Sequence, residues 1–235
     1  GPNNIWLHNS QYVTPDRIVL AATHHDKCGN HYSLIYETWR GSYNYSYMVR
    51  AAKGVTYSGV ADDLNGDGYG YDAMYIPTDK QVADGEFRFD SADDRDRFMD
   101  YVHNNPYLSK HQGQYAEAYS LYSPWVHRLD FSYKHDFKLH VAEKNTHILQ
   151  LCVDIKNLLN LFNSKWGNAK YINSIKVGDK SITVDRPLEY VRTDEEGYPV
   201  YKTLEGLDGN TPTFVPNPAI GQCWYASIGL RYMFN

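Results

Sequence analysis

Apolar and polar residues alternate strictly along the last segment of the chain. One set of alternate positions holds Trp224, Ala226, Ile228, Leu230, Tyr232 and Phe234, and the other holds Tyr225, Ser227, Gly229, Arg231 and Met233. A period of two predicts a β-strand with one apolar face. Aromatic residues stand at both ends of that face, as in strands that cross a membrane between two aromatic girdles. The segment therefore predicts a membrane-spanning strand.

The same alternation occurs farther upstream, in residues 128–137 and 148–155. The apolar positions there are Leu129, Phe131, Tyr133, Leu149, Leu151, Val153 and Ile155, and the polar positions include Arg128, Asp130, Lys134, Asp136, Gln150 and Asp154. We predict that the apolar positions face lipid, together with Trp224, Ile228, Leu230, Tyr232 and Phe234, and that the polar positions face a wet lumen, together with Arg231. A soluble sandwich would place the same polar residues on its outer surface, and periodicity alone does not separate the two hypotheses.

The connections between strand-like segments alternate between short and long. Short turns fall at residues 25–30, 139–145 and 194–197, and long connections at about 50–125, 156–183 and 205–221. Weaker strands are predicted at Arg17–His25, Asn30–Arg40 with a continuation through Tyr43–Tyr47, Val184–Thr193 and Tyr198–Leu204. Up-and-down membrane barrels show this asymmetry, because their periplasmic turns are short and their outer loops are long.

The number and direction of the strands indicate a part of a larger barrel. A last strand that ends in the periplasm implies about seven strands and an N-terminus outside the cell, whereas single-chain bacterial barrels have even strand numbers. Unless Asn4–Val13 supplies an eighth strand, we expect the C-terminal part of a larger protein. The chain begins without an export signal, so we expect a mature chain or a fragment.

One helix is predicted, within the large extracellular loop region at residues 51–125. Ser91 is a suitable N-cap, and Asp93 and Asp94 follow it in the first turn. Phe98, Met99, Tyr101 and Val102 then recur at helical spacing before Asn104. A further short turn is expected at Leu158–Phe162. Since no repeat or domain boundary is evident, we treat residues 1–235 as one barrel portion.

Composition narrows the class of protein. The 235 residues include 22 tyrosines, yet the mean hydropathy is −0.60, and no stretch reaches the roughly 18 apolar residues of a membrane helix. A net charge of −5 provides no basic field for nucleic acid. The three cysteines give neither a disulfide framework nor a metal motif. No nucleophile elbow, zinc-protease motif or phosphate-binding loop occurs, so we do not expect an enzyme.

An acidic segment follows the spacing of calcium-binding loops. Asp63, Asn65 and Asp67 alternate, Gly68 stands at the sixth position, and Asp72 follows at the tenth. Tyr69 would offer its carbonyl oxygen, and Gly68 would permit the sharp turn. The twelfth position, where an EF-hand has a bidentate glutamate, is Met74. The segment is a candidate calcium loop, and the alternative is a metal-free turn rich in Asx and glycine.

A run of aromatic residues forms a second candidate site. Tyr43, Tyr45 and Tyr47 alternate with polar residues, and Trp39 precedes them. Aromatic faces stack on sugars and on flat apolar ligands, so these residues are candidates for ligand stacking. The alternative is an extracellular aromatic girdle.

Four segments resemble, in the same order, TonB-dependent receptors of Bacteroidota, of the Oar-like type with a carboxypeptidase-regulatory-like domain. They are Asp63–Gly68 with Asp72–Pro77, the P-W-x-x-R-x-D segment Pro124–Asp130, the D-x-x-N-L-x-N segment Asp154–Asn160, and the terminal Ile228–Phe234. One departure is Asn235, because barrels of this class usually end on the aromatic residue.

This resemblance implies the C-terminal part of a transmembrane barrel of about 22 strands, located in the outer membrane of a Gram-negative cell. It implies contact with membrane lipid, with the remaining barrel and plug, and with TonB through a missing N-terminal part. A surface lipoprotein and a glycan or peptide substrate are further candidate partners. Two alternatives stay open, a soluble glycan-binding β-sandwich and a self-contained outer-membrane barrel of about eight strands with a structural or adhesive role.

Overall fold

The computed structural model describes residue 7 and residues 10–41, 43–56, 58–142 and 145–234, with the side chains of residues 140–146 left aside. Strands make up 43% and helices 13%. The β-rich class with antiparallel sheets is confirmed.

The strands are β1 Asp16–His25, β2 Asn30–Arg40, β3 Asn44–Tyr45, β4 Val49–Ala51, β5 Tyr75–Ile76, β6 Arg88–Phe89, β7 Gln114–Tyr115, β8 Leu121–Tyr122, β9 Val126–Ala142, β10 Asn145–Lys156, β11 Lys170–Ile172, β12 Ser174–Val177, β13 Lys180–Thr183, β14 Leu188–Thr193, β15 Pro199–Thr203, β16 Phe214–Pro216 and β17 Tyr225–Met233. The α-helices are α1 Asp79–Ala83, α2 Ala92–Asn104 and α3 Leu158–Phe162, and short 3-10 helices span Leu108–Lys110 and Ile220–Gln222.

The chain divides into two compact units. The first, here called the core module, contains Gly1–Val13, Ser42–Ser123 and Tyr171–Val215, and the second, here called the sheet unit, contains Thr14–Gly41, Pro124–Lys170 and Pro216–Asn235. Each unit is assembled from three separate stretches of sequence. No composition shift therefore marks a boundary, which is why the sequence pattern did not indicate one.

The sheet unit is built on one five-stranded antiparallel sheet with the order β1-β2-β9-β10-β17. Its strands are 10, 11, 17, 12 and 9 residues long. Their β-branched, aromatic and alternating residues suit a pleated surface with two different faces. The strands predicted at residues 17–25, 30–40, 128–137, 148–155 and 224–234 are all confirmed.

Connection lengths in this sheet follow the predicted alternation. Residues 26–29 join β1 to β2, and two residues separate β9 from β10, whereas β2 to β9 and β10 to β17 are long connections. Because the neighbours are antiparallel, both long connections leave the same end of the sheet, and the short turns lie at the other end.

The number of strands in this sheet was predicted wrongly. The segments Val184–Thr193 and Tyr198–Leu204 were expected to extend it, but β14 and β15 pair with each other within the core module. Strand β14 begins only after Pro187, which has no backbone N–H to donate. The sheet therefore has five described strands and not about seven. Half of the candidate eighth strand, Asn4–Val13, lies outside the described residues, and none of its described residues belongs to a strand.

The continuation of β2 through Tyr43–Tyr47 was also predicted wrongly. Strand β2 ends at Arg40, and Gly41 follows with a φ of 87°. That left-handed conformation is open to glycine at little cost and turns the chain out of the strand. Residues Asn44–Tyr45 then form β3, which pairs with β8 inside the core module.

A small mixed sheet forms the centre of the core module. Its order is β4-β14-β15-β6, in which β14 and β15 form an antiparallel hairpin and β4 and β6 pair in parallel at its two sides. Three two-stranded pairs, β3 with β8, β5 with β7 and β12 with β13, belong to the same unit.

Helix α2 packs against this sheet, and its predicted position is confirmed. The Ser91 hydroxyl oxygen accepts a hydrogen bond from the backbone N–H of Asp94 and caps the first turn. The Asp94 carboxylate accepts a bond of 3.0 Å from the backbone N–H of Thr203 on β15. Arg97 donates to the carbonyl of Leu204 at 2.9 Å. These bonds fix the helix to the strand that it covers.

Apolar burial is concentrated in the core module. Its fully buried side chains include Tyr47, Met74, Ile76, Phe98, Tyr101, Val102, Leu108, Val184, Leu188, Leu204 and Leu207. Among the described residues, Val126 is the one buried apolar side chain that belongs to the sheet unit. The core module thus has a hydrophobic core of its own, and the sheet unit has almost none.

Candidate functional site

The register of the five-stranded sheet places the predicted lipid-facing residues on one face. Val153 pairs with Ile228 on one side and with Tyr133 on the other, and directly opposite residues project to the same face. By the same pairing this face, here called the apolar face, holds Leu129, Phe131, Tyr133, Leu149, Leu151, Val153, Ile155, Ile228, Leu230 and Tyr232, and it continues through Ile18, Leu20, Tyr32, Leu34 and Tyr36. Trp224 and Phe234 stand one residue before and after β17.

The apolar face is accessible to an unusual degree. Ile228, Leu230 and Phe234 are 76%, 71% and 75% exposed. Leu20 is 61% exposed, whereas Leu204 in the core module is 1% exposed. Monomeric soluble proteins rarely leave contiguous apolar surface open on this scale. We therefore expect an apolar environment to cover this face.

The opposite face of the same sheet, here called the polar face, holds every residue that was predicted to face a lumen. Arg128, Asp130, Lys134, Asp136, Gln150, Asp154 and Arg231 share it by register. Gln150 donates to the Asp136 carboxylate at 2.7 Å, and His31 contacts the same carboxylate at 2.9 Å. Lys156 forms an ion pair of 2.8 Å with Asp130. The polar face is thus connected across strands.

Sequence reasoning missed several members of the polar face. Arg17 pairs with Glu37 at 2.7 Å, and His31 and Lys156 take part in the contacts just described. Their segments were recognised as strands, but the charged positions on β1 and β2 are interrupted by Val19 and Ile35. Only the register with β9 shows that these charges belong to one surface.

The candidate calcium loop is held by hydrogen bonds to its own backbone. Asp63 is fully buried, and its carboxylate accepts from the backbone N–H groups of Gly66 and Gly68 at 2.8 and 3.0 Å and from the Ser58 hydroxyl. The hydrogen bond from Ser58, reinforced by these amides, holds the pKa of Asp63 below its ordinary value. Asp72 accepts from the backbone N–H of Leu64 at 2.7 Å.

This arrangement is that of an Asx and glycine turn. Asn65 and Asp67 each accept from a backbone N–H two residues later, and Gly68 has a φ of 86°. Met74, at the twelfth position, lies in the hydrophobic core. Within the described ranges, no three His, Cys, Asp or Glu side chains are grouped so as to hold a metal ion. Calcium binding through Asp63, Asn65, Asp67, Tyr69 and Asp72 stays a prediction.

The aromatic candidates are separated by the fold. Tyr43 and Tyr45 lie together in the core module, with ring centroids 4.8 Å apart. Tyr47 is fully buried, and its hydroxyl accepts from Asn105 at 2.8 Å. Its assignment to ligand stacking is therefore corrected, since its ring belongs to the core. Trp39 lies in the sheet unit, under the guanidinium of Arg128 at 5.4 Å.

Tyr43 and Tyr45 line a cavity of about 750 Å³ in the core module. Asn44 and Asp185 also line it and are 0% and 4% exposed. The Oδ1 atoms of both side chains are buried and have no hydrogen-bond partner in the part of the chain that the structure describes. Buried polar atoms are normally paired. These two oxygen atoms are enclosed by protein and have almost no accessible surface, so they lie beside the cavity and are not open to it. No sequence motif marks Asn44 or Asp185, because long-range folding brings them together.

Comparisons with known proteins identify no relative. No protein-family model matches the chain, and neither a curated protein nor a solved structure matches it. The resemblance to TonB-dependent receptors therefore stays a prediction. In the described part of the chain, no helix has both the length and the apolar character needed to cross a membrane.

The cavity carboxyl makes the stability of the core module depend on pH. Burial raises the pKa of Asp185 above its ordinary value, although a hydrogen bond from Thr183 and the charge of Arg186 oppose the shift. The folded state therefore favours the protonated acid. Its stabilising contribution is present at pH values below the ordinary pKa and is lost as the pH rises through the folded-state pKa.

Asp185→Asn is consequently expected to stabilise the core module at pH 7, by about 1 kcal/mol, and to give no gain at pH 3. The measurement is urea unfolding at both pH values, followed by amide hydrogen exchange in α2. Asp179→Asn, at an exposed turn, is the control and should change little. An equal gain at both pH values would rule out the buried charge as the cause.

Proposed function

We propose that the sheet unit is part of the wall of an outer-membrane β-barrel and that the chain belongs to a TonB-dependent receptor for nutrient uptake. The observation that carries this proposal is the combination of an exposed apolar face with a hydrogen-bonded polar face on one sheet. In a soluble sandwich the apolar face would be covered, and the polar face would meet water.

Exposed apolar side chains support a lipid environment on the apolar side. Ile228 and Leu230 on that face are 76% and 71% exposed. Burial of apolar surface stabilises a fold by about 25 cal/mol per Å². An apolar face left in water would lose that stabilisation. In a bilayer the acyl chains cover it, and the paired charges remain on the lumen side.

Strand length and pairing also support a barrel wall. A transmembrane β-strand needs about 9–11 residues, and four of the five strands have between 9 and 12. In the described part of the chain, β1 and β17 each pair with one neighbour. A membrane tolerates no open sheet edge, so a wall of this kind requires further strands to close it. The proposal assigns these to the remaining barrel.

The receptor class rests on the ordered motifs and on the connectivity. The two long connections of the sheet contribute most of the core module. In a barrel of this orientation they would be the outer loops, which face the substrate. Uptake would then depend on the plug and on TonB, and the polar face would line the path beside the plug.

Site-directed spin labelling tests the membrane assignment. Cys28, Cys152 and Cys223 are replaced by serine, single cysteines are introduced as Ile228→Cys and Ser227→Cys, and the labelled chain is reconstituted into phosphatidylcholine vesicles. These neighbours lie at one depth on opposite faces of β17, and both are exposed. We expect the label at position 228 to contact oxygen in preference to a water-soluble nickel chelate, and the label at position 227 to show the reverse.

A second pair extends the test to a central strand. Val153→Cys on the apolar face and Asp154→Cys on the polar face of β10 should show the same contrast. Equal access of both labels to the nickel chelate, or a chain that stays in the supernatant when the vesicles are sedimented, would refute the membrane assignment.

A further inference from the structure

Two histidines face each other at the short-turn end of the five-stranded sheet. His25, the last residue of β1, lies directly opposite His31 on β2. The register places both on the polar face, where Lys134 of β9 is the next residue across. The ring centroids of the two histidines are 4.6 Å apart, and their Nδ1 atoms are in hydrogen-bond contact. Because directly opposite residues project to the same face, the two imidazoles converge on one point.

The Asp136 carboxylate determines which nitrogen of His31 carries a proton. Its Oδ2 atom lies 2.9 Å from Nε2 of His31, and its Oδ1 atom accepts from Gln150 at 2.7 Å. An ionised carboxylate only accepts hydrogen bonds, so Nε2 of His31 is the donor. The neutral ring then has its lone pair on Nδ1, the atom that faces His25. A carboxylate that accepts from the outer nitrogen in this way is the usual partner of a metal-bound imidazole.

The histidine pair can be reached from solvent. His25 is exposed, and the side chain of His31 is 31% exposed. Lys134 adds a positive charge beside the pair, and the Asp136 carboxylate offsets it with a negative one. A dissolved cation therefore meets no net repulsion at these two nitrogens.

We propose that His25 and His31 bind one divalent transition-metal ion, of the class of Cu²⁺, Ni²⁺ or Zn²⁺, through their Nδ1 atoms. Imidazole nitrogen suits these metals, whereas Ca²⁺ and Mg²⁺ prefer oxygen ligands. Metal–nitrogen bonds of about 2.0–2.1 Å require the two Nδ1 atoms to stand about 3 Å apart, and a small rotation of the exposed His25 ring provides that spacing.

Proton placement on both rings is compatible with this binding. His31 keeps its proton on Nε2, where Asp136 accepts it. His25 carries its proton on Nε2 in the metal-bound state, so both rings stay neutral and both Nδ1 lone pairs are free to bind. Two protein ligands leave the remaining coordination positions to water, which makes the bound ion exchangeable.

Calorimetric titration of the full chain in detergent micelles with CuCl₂ tests this site. The background carries serine at positions 28, 152 and 223, so that no thiol competes for the metal. We expect His25→Ala and His31→Ala each to weaken Cu²⁺ binding about tenfold or more, since each removes one of two ligands. A large excess of Ca²⁺ should not displace the copper, because Ca²⁺ binds imidazole poorly.

His24→Ala is the matched control. His24 is the neighbour of His25 in the sequence but projects to the opposite face of β1, where its ring stacks on Tyr32. This variant should bind Cu²⁺ like the parent chain. Hydrogen exchange of β2 and β9 amides shows whether each variant is folded, and His25→Gln repeats the test with a polar side chain. Parent-like affinity in a folded His25→Ala or His31→Ala chain, or an equal loss in His24→Ala, would overturn the proposal.

Pulsed electron paramagnetic resonance of the copper-loaded chain counts the ligands. We expect the nitrogen modulation of two imidazoles in the parent chain and of one in His31→Ala. A parent spectrum with one imidazole would refute the paired site.

Asp136 is assigned a positioning role, because it contacts His31 and not the metal. Asp136→Asn should weaken binding by about tenfold or more while both imidazoles stay bound. The quadrupole frequencies of the outer ring nitrogen of His31 should also shift, since they depend on the hydrogen bond that Asp136 accepts. Unchanged affinity together with unchanged frequencies would refute this role.

The metal site and the membrane assignment fail separately. The histidine pair requires only the pairing of β1, β2 and β9, whereas the spin labels in β10 and β17 report on what covers each face of the sheet.

Discussion

Phe98→Ala is expected to lower the free energy of unfolding of the core module by about 3–5 kcal/mol, the largest effect of any single truncation proposed here. Phe98 is fully buried on the inner side of α2, and its ring centroid lies 5.6 Å from that of Phe89 on β6. Removing the ring leaves a cavity between the helix and the sheet, since the bonds of Asp94 to Thr203 in β15 and of Arg97 to Leu204 just after it prevent α2 from collapsing into the space.

Hydrogen exchange measured by mass spectrometry distinguishes the two units in this variant. Exchange of α2 amides should accelerate strongly, while exchange in β9 and β10 should stay unchanged, because the sheet unit has its own hydrogen-bond network. Tyr69→Ala removes an aromatic ring that is 62% exposed and should alter stability by less than about 0.5 kcal/mol. Unchanged protection of α2 in Phe98→Ala would show that this core does not hold the helix.

Ile228→Arg gives the second large expected effect. The direction of the change in membrane insertion and solubility distinguishes a membrane-embedded sheet unit from a soluble one. If the apolar face meets lipid, an arginine near the bilayer midplane costs about 2–4 kcal/mol and sharply reduces the fraction of chain that inserts. If the sheet is soluble, an arginine at a position that is 76% exposed costs almost nothing and improves solubility.

Ser227→Arg is the matched control for this substitution. It adds the same side chain to the adjacent residue of β17, on the polar face and opposite Asp154. Insertion is measured as the folded fraction of the chain in sedimented vesicles. We expect Ser227→Arg to insert like the parent chain and Ile228→Arg to insert poorly. Two variants that insert equally well would contradict a lipid-facing Ile228.

The strands of the sheet unit were predictable because their signal is local. Alternation between Leu149 and Ile155, or between Ile228 and Phe234, follows from the period of two of extended backbone and needs no knowledge of neighbours. Helix α2 was equally predictable, since the Ser91 cap and the spacing of Phe98 and Val102 are local too. Errors appeared where pairing decides the outcome.

Strands β14 and β15 illustrate such an error. Their segments were predicted as weaker strands of the barrel wall, yet they pair with β4 and β6 and bury Leu188 and Val200 at 0% and 3% exposure. Alternation shows that one face is apolar but does not specify what covers it. Partners more than 100 residues distant in sequence, such as Arg88 on β6 for Asp194 after β14, supply that information.

The candidate ligand site was predictable only in part. Tyr43 and Tyr45 were identified from their aromatic spacing, and both line the cavity. Tyr47 belongs to the same alternation, but its ring is fully buried in the hydrophobic core. Asp185 lies about 140 residues farther along the chain, in a segment whose sequence carries no motif.

The sequence by itself determined the alternating strands, the capped helix and the division of the sheet into an apolar and a polar face, since each depends on residues only a few positions apart. The tertiary structure alone decided that the long connections assemble a module with its own core, and that Asn44 and Asp185 meet at one cavity. These outcomes depend on which distant segments bury surface together. That burial is a property of the whole folded chain, and no short stretch of residues encodes it.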